Sequence, residues 1–134
     1  MIRLPVEVVM KSGELGKIYE DRESIICQGE SGDCMFVIQE GEVEVVAECD
    51  GQEVRLGVRG KGEVVGEMAI FEREVRLAHV RARGRARVLT LDRKNFLRRL
   101  TEDPSLAFHT IESMSKRIRE LSDEVVRLKR GQKA

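Results

Sequence analysis

Apolar and polar residues alternate in short runs between Lys17 and Asp92, and Gly or Asp residues separate the runs. The segment that begins at Glu42 places Val43, Val45 and Ala47 on one side, as in a strand with one face toward a core. Residues 53–59 alternate in the same way. A period of two residues with frequent turns predicts a small antiparallel β-barrel over residues 17–92.

Two hairpins are predicted inside this barrel. The segment Cys-Asp-Gly-Gln at 49–52 separates the first two strands, and Asp-Gly is a strong signal for a tight turn. Residues 77–82 and 86–91 are similar apolar runs about Arg-Gly-Arg at 83–85, which predicts a second strand pair. Residues 14–16 are expected to form a loop that leads into the first strand.

After Asp92 the apolar period changes to about 3.6 residues, which indicates helices. Asp92 suits the N-cap of a short helix at 93–102, and Asp103-Pro104 suits the start of a second helix at 104–130. The short helix is expected to bury Phe96, Leu97 and Leu100.

The apolar residues of the second helix are spaced by three and four over three heptads. β-branched residues occupy the a positions and Met or Leu the d positions, which favours a parallel two-stranded coiled coil. Phe108 and Ile111, near the helix start, are expected to pack on the chain's own barrel. By Leu121 the helix has run about 25 Å at 1.5 Å per residue, beyond so small a barrel, so a second copy is expected to cover it. The residues of this dimer seam are Ile111, Met114, Ile118, Leu121, Val125 and Leu128.

The 134 residues suit one domain, with 41% hydrophobic and 36% charged residues. No apolar run approaches the roughly 20 residues of a membrane span, and the first seven residues do not suit a signal peptide. Cys27, Cys34 and Cys49 lack metal-site spacing and are expected to be reduced thiols in the cytoplasm. Neither a membrane partner nor a disulfide is expected.

Charge is unevenly distributed along the chain. Residues 1–92 carry 13 Lys or Arg against 18 Asp or Glu, and residues 93–134 carry 11 against 6. A basic end can indicate nucleic-acid binding, but acidic residues interleave with the basic ones, so a solvated helix surface is the better interpretation. A helix-turn-helix is not expected after the second helix. His79 and His109 form no ligand cluster, and no nucleophile–base motif is present, so no enzyme activity, metal or cofactor is expected.

The candidate chemistry lies in Gly-Glu-Met-Ala-Ile-Phe at 66–71 and Arg-Leu-Ala at 76–78. A glycine turn that opens a helical turn directs backbone N–H groups at one point, which favours a phosphate. Arg76 can bind the phosphate with its fork of donors. Glu67 can accept from a hydroxyl group, so the ligand is expected to carry both groups. Taken singly, each of these residues has an ordinary structural explanation.

Here the chain resembles the cyclic-nucleotide-binding domain family, whose phosphate cassette reads roughly Gly-Glu-apolar-Ala-apolar, then Arg-Ser/Thr-Ala. Residues 28–43 and 62–67 resemble the family's first strands and its approach to the cassette, and in all residues 16–128 fit. The resemblance implies a β-barrel or jelly roll with a long C-terminal dimerisation helix. It implies a stand-alone sensor that binds a cyclic mononucleotide, cAMP ahead of cGMP, and signals to a partner protein.

By this resemblance Glu67 holds the ribose hydroxyl, while Arg76 and the N–H groups of Ala69 and Ala78 hold the phosphate. The family's Ser or Thr is replaced by Leu77, which removes a hydroxyl donor. A domain that binds nothing and acts as a dimeric scaffold is therefore the alternative. The family's activators place hydroxyl side chains of the last helix near the base, and Ser122 keeps this chemistry. The expected ligand-binding residues are Val64, Val65, Gly66, Glu67, Met68, Ala69, Arg76, Leu77, Ala78 and Ser122.

Overall fold

The computed structural model describes residues 14–72 and 74–131, with the backbone alone at residue 74. Expectations for residues 1–13 and 132–134, including that on a signal peptide, lie outside this part. Strands and helices are numbered here in chain order within it. They are β1 (Lys17–Tyr19), β2 (Ser24–Ile26), β3 (Ser31–Gly32), β4 (Cys34–Cys49), β5 (Gln52–Arg59), β6 (Val64–Val65), α1 (Met68–Phe71), β7 (Glu74–Val75), β8 (His79–Asp92), α2 (Arg93–Glu102) and α3 (Pro104–Gly131).

Two long antiparallel strands, β4 and β8, form the centre of the main sheet. The order is β1-β8-β4-β5, with β2 also paired to β8 and β6 to β4, while β3 and β7 form a separate small sheet. The sheet is jelly-roll-like rather than a closed barrel, and the predicted class, mainly β with C-terminal helices, is confirmed.

The predicted second hairpin is wrong, because β8 runs without a break from His79 to Asp92. Both halves pair with β4, from Val46 opposite His79 to Cys34 opposite Asp92. Gly84 has φ +73° and lies where the register along β4 shifts, so it bends the strand instead of reversing it.

The first hairpin has the predicted turn, with φ +52° at Asp50 and +79° at Gly51, as in a two-residue hairpin loop. A bulge lies opposite Val45 and Val46, where Leu56 of β5 is the extra residue, so the alternation along β4 is kept. Val43 is buried in the cluster around Ile38 and Val45 packs against that cluster, as expected, whereas Val46 is buried on the other face, beside Glu44.

The core consists of two clusters, and β6 contributes one valine to each. Val64 belongs to the cluster under the helices, with Phe96 and Leu106, whereas Val65 belongs to the cluster around Ile38. Neighbouring residues of a strand point to opposite faces, which explains the division.

The helices begin where the sequence places their caps. Asp92 Oδ1 accepts a hydrogen bond from Asn95 N at 2.7 Å, and Phe96 of α2 is 2% exposed. Leu97, expected in the core, is exposed, and so are Phe108 and Ile111, which do not pack on the barrel as expected. Helix α3 buries Leu106 and Thr110 near its start, and residues 118–131 are exposed throughout. Within residues 14–131, apart from residue 73, no helix is long and apolar enough to cross a membrane.

Candidate ligand-binding site

The segment between β6 and α1 makes a sharp turn at Gly66, whose φ is +72°. Residues that carry a side chain rarely adopt this backbone conformation, so glycine suits the position. Helix α1 is a single turn in which Ala69 N donates to Gly66 O at 3.3 Å and Ile70 N to Glu67 O at 3.1 Å. The turn therefore bends the chain from the end of β6 straight into the helical segment.

Backbone hydrogen bonds fix the main chain of Arg76 to the turn between β2 and β3. Arg76 N donates to Glu30 O at 2.8 Å, and Gly29 N donates to Arg76 O at 2.9 Å. The base of the arginine side chain is thus held by a segment more than forty residues earlier in the sequence.

The guanidinium of Arg76 is anchored on backbone carbonyls. Nη1 donates to Gly66 O at 3.1 Å and Nη2 donates to Cys34 O at 2.7 Å. The Cζ atom lies 5.9 Å from the centre of the Phe36 ring, within the range of a cation–π contact. A guanidinium has five N–H donors, so three have no partner among the described residues and can serve another acceptor.

A cavity of about 220 Å³ adjoins this arginine. Two of its lining side chains are polar or charged, those of Glu67 and Arg76, and the others are apolar or glycine. In the described part of the chain the Glu67 side chain, which is half-buried, has no hydrogen bond or ion pair. The cavity thus presents one fixed cation, one carboxylate and an apolar wall.

Most of the residues expected at the site come together at this cavity. They are Val65, Gly66, Glu67, Met68, Ala69, Arg76, Leu77 and Ala78. Leu77 is 81% exposed. Val64 does not line the cavity, because its side chain points into the helix-side core. Ser122 is exposed on α3 and is not among the lining residues.

Four further lining residues come from four different strands: Ile26, Val45, Val75 and Val80. Only the pairing of the strands brings these four side chains to one cavity. The alternation in the sequence places Val45 on the core face, but it does not show which other strands meet it there.

Cys34 borders a second cavity on the other side of Arg76, of about 180 Å³. Burial raises the pKa of its thiol, and a hydrogen bond from Sγ to Asp33 Oδ1, at 3.3 Å, raises that pKa further. The thiol is therefore mostly protonated at neutral pH and is a weak nucleophile.

Comparison with known proteins identifies the family of this domain. The family model for the cyclic nucleotide-binding domain matches residues 17–103. The chain belongs to this family. The matched region contains all the strands, α1, α2 and the cavity, and it ends at the residue before α3.

Similar proteins include protein kinases and a bacterial activator. The chain is 41% identical over 83 residues to the cGMP-dependent protein kinase egl-4 of Caenorhabditis elegans, covering 58% of this chain and 10% of the kinase. It is 39% identical over 87 residues to the type II regulatory subunit of the Drosophila melanogaster cAMP-dependent protein kinase, covering 64% and 23%. The catabolite activator protein of Thermus thermophilus superposes with a TM-score of 0.79 at 27% identity, covering 93% and 60%. The chain thus spans less than two thirds of each of these proteins.

Proposed function

We propose that this chain binds a cyclic mononucleotide, cAMP ahead of cGMP, in the cavity beside Arg76. The observation that carries the proposal is the placement of this guanidinium. Two carbonyls anchor its terminal nitrogens, three donors remain, and Glu67 lines the same cavity. Family membership and relatives named for cAMP and cGMP support this class of ligand.

In this proposal the cyclic phosphate accepts hydrogen bonds from Arg76 and from backbone N–H groups at Ala69 and Ala78. Ala69 N now makes a long bond of 3.3 Å to Gly66 O, which a charged acceptor can replace at little cost. Glu67, with no partner in the part of the chain that the structure describes, accepts from the ribose hydroxyl. Each carboxylate or phosphate contact of this kind contributes about 1.5–3 kcal/mol.

The apolar wall of the cavity favours adenine. Guanine has one more exocyclic polar group than adenine and also a ring N–H. It therefore loses more hydration than adenine does when it packs against Ile, Val, Leu and Met side chains. No side chain other than those of Glu67 and Arg76 offers it compensation among the lining residues. We therefore propose cAMP as the tighter ligand.

Contacts between α1 and α2 are the proposed route by which binding affects α3. Phe71 and Phe96 meet edge to face at 6.2 Å between ring centres, and Arg93 Nε donates to Ile70 O at 2.7 Å. Phe96 and Leu106 of α3 share one core cluster. A shift of α1 on binding therefore changes the packing beneath α3, provided that the ligand binds the two packings with different affinity.

We also propose that the exposed half of α3 pairs with the same helix of a second copy. Residues 118–131 form 14 residues of helix without support from the rest of the chain, and a helix of this length is marginal in water alone. Four of its five large exposed apolar residues, all but Val126, occupy the a and d positions of the heptad pattern given above. Glu124 at g can reach Lys129 at e of a parallel partner.

One observation favours the alternative function, a dimeric scaffold that binds no nucleotide. Leu77 replaces the hydroxyl side chain of the family motif and exposes 81% of its surface at the cavity. An apolar side chain there removes one donor to the phosphate but leaves Arg76 and Glu67 in place. The sensor and the scaffold therefore differ in whether nucleotide binds at all.

Calorimetric titration with cAMP and with cGMP tests the proposal. We expect binding of cAMP to the wild-type protein and a loss of at least tenfold in affinity for Arg76→Ala, because a charge-assisted contact to phosphate is lost. Arg98→Ala removes an exposed arginine of α2 and is expected to bind like the wild type. If neither nucleotide binds at millimolar concentration, the scaffold function replaces the sensor function.

A further inference from the structure

His79, the first residue of β8, makes contacts that depend on its protonation state. Its side chain is 26% exposed. Nδ1 accepts a hydrogen bond from Gln28 N at 3.1 Å, which requires that Nδ1 carry no proton. Nε2 lies 3.4 Å from Glu48 Oε1. The neutral ring with its proton on Nε2 keeps the hydrogen bond from Gln28 N, whereas the approach of Nε2 to Glu48 lacks the geometry of a hydrogen bond.

Gln28 is the first residue of the turn that holds Arg76. The next amide along, Gly29 N, donates to Arg76 O, and Glu30 O accepts from Arg76 N. The Gln28 side chain pairs with the main chain of Glu48 through bonds of 2.8 Å and 3.2 Å. The Gln28 N–H bond to His79 is thus one residue away from the backbone clamp on Arg76.

Charged groups surround His79 on three elements. Glu48 lies on β4, Glu53 on β5 and Arg81 on β8, and Arg81 binds both Glu53 and Glu44 of β4. In the turn, Cys27 precedes Gln28 and Glu30 lies two residues after it. Glu48 is 57% exposed and lies within ion-pair distance of Nε2, so its carboxylate can face a charged ring without rearrangement. A proton added to the ring therefore changes the Nδ1 side, where Gln28 N–H lies.

We propose that His79 is a positioning residue for Arg76, and that protonation of its Nδ1 weakens nucleotide binding. Histidine ordinarily changes charge between pH 5 and 8. A proton on Nδ1 faces the N–H of Gln28, so two donors meet and the turn moves away. The bonds from the turn to the main chain of Arg76 then loosen, and its guanidinium loses the position that the phosphate needs. This inference rests on the proposed function.

Calorimetric titration with cAMP at pH 7.5 and pH 5.5 tests the effect on binding. For the wild type we expect a three- to tenfold loss of affinity at pH 5.5, the size of one neutral hydrogen bond. His79→Asn keeps an oxygen acceptor near the position of Nδ1 and cannot take up the proton, so its affinity is expected to stay constant. His109→Gln, which removes the other histidine, is expected to follow the wild type. A wild type with equal affinity at both values, or a loss retained in His79→Asn, overturns the proposal.

A measurement on the ligand-free protein separates this inference from the proposed function. Amide NMR signals of Gln28, Gly29 and Arg76 are expected to shift with pH at the midpoint of the His79 ring, and to stay constant in His79→Asn. If the amide shifts of these three residues do not change with pH, His79 does not position the turn, whatever the binding result. Absence of cAMP binding at both pH values contradicts the proposed function instead. The amide shifts then test, without any ligand, whether His79 holds the turn.

Discussion

The guanidinium of Arg76 lies so close to the backbone of Gly32 that a Cβ atom at Gly32 would come within 2.5 Å of Nη2. On the other side, a Cβ at Gly66 would lie 2.7 Å from Nη1. The two glycines form a slot for the arginine head group, and the carbonyls of Gly66 and Cys34 hold it there. The direction of the remaining donors depends on this slot.

The first prediction is that Gly32→Ala displaces Arg76 and weakens nucleotide binding. Gly32 does not have a positive φ, so alanine fits its backbone conformation, and the new methyl group acts on the guanidinium. We expect cAMP affinity to fall by about tenfold or more in calorimetry, equivalent to about 1.4 kcal/mol. The midpoint of thermal unfolding is expected to change little.

Gly60→Ala is the matched control for this prediction. Gly60 also lacks a positive φ, and the atom nearest to an added Cβ, Gly41 O, is 3.9 Å away. Its affinity is expected to equal that of the wild type. If Gly32→Ala binds cAMP as well as the control does, the slot is not needed for binding.

Features with a local cause were predictable from the sequence. Asp92 caps α2 because its side chain reaches an amide three residues on, and Asp50-Gly51 forms the hairpin turn because both residues tolerate positive φ. Glu67 and Arg76 are predictable because the phosphate cassette motif places them only nine residues apart. Such signals need no knowledge of how distant strands pair.

Features that depend on register were not predictable in the same way. The sequence predicts a turn at Gly84, because glycine between two arginines is typical of one, but pairing of both halves of β8 with β4 makes it a bend. Val64 and Val65 are alike in sequence, and only the pleat decides which one reaches the cavity. The contact between Gly32 and Arg76 joins residues that are far apart in the chain, so no window of sequence contains it.

The second prediction concerns Leu77, which is exposed at the cavity. Leu77→Ser restores a hydroxyl donor where the family motif has one, and we expect cAMP affinity to rise by roughly tenfold, about 1.4 kcal/mol. Removal of so exposed a leucine is expected to leave stability nearly unchanged. Leu77→Ala is the control, since it removes the same bulk without adding a donor. Equal gains in affinity in both variants would show that the bulk of Leu77 is responsible. No gain in either would show that Arg76 and the backbone bind the phosphate without help from this position.

The third prediction concerns the ion-pair network around Arg81. A hydrogen bond from Arg81 lowers the pKa of Glu44 below its ordinary value of 4.5, although burial opposes the shift. A carboxyl group whose pKa falls on folding stabilises the fold above the unfolded value and loses that contribution as pH falls. Glu44→Gln is therefore expected to lower the free energy of unfolding at pH 6 by roughly 0.5–1 kcal/mol, with the difference shrinking below pH 4.5.

Urea unfolding at pH 6 and pH 3.5 measures this difference. Glu102→Gln, which changes an exposed carboxylate at the end of α2, is the control and is expected to match the wild type at both values. A penalty for Glu44→Gln that is equally large at pH 3.5 would show that packing or neutral hydrogen bonding is responsible, not charge.

The last prediction is that Leu121→Asp converts a dimer into a folded monomer. Leu121 is at a d position of the proposed seam, and in the single chain 43% of its surface is exposed, so the fold of one copy does not depend on it. In a parallel pair the two aspartates would meet in the desolvated seam, at a cost of several kcal/mol. Light scattering is expected to report about twice the chain mass for the wild type and the chain mass for the variant. Val126→Asp places the same charge on a residue that is 51% exposed and lies at a b position outside the seam, so it is expected to remain a dimer. A wild type that is monomeric at high micromolar concentration, or two variants that dissociate equally, would contradict pairing through this face.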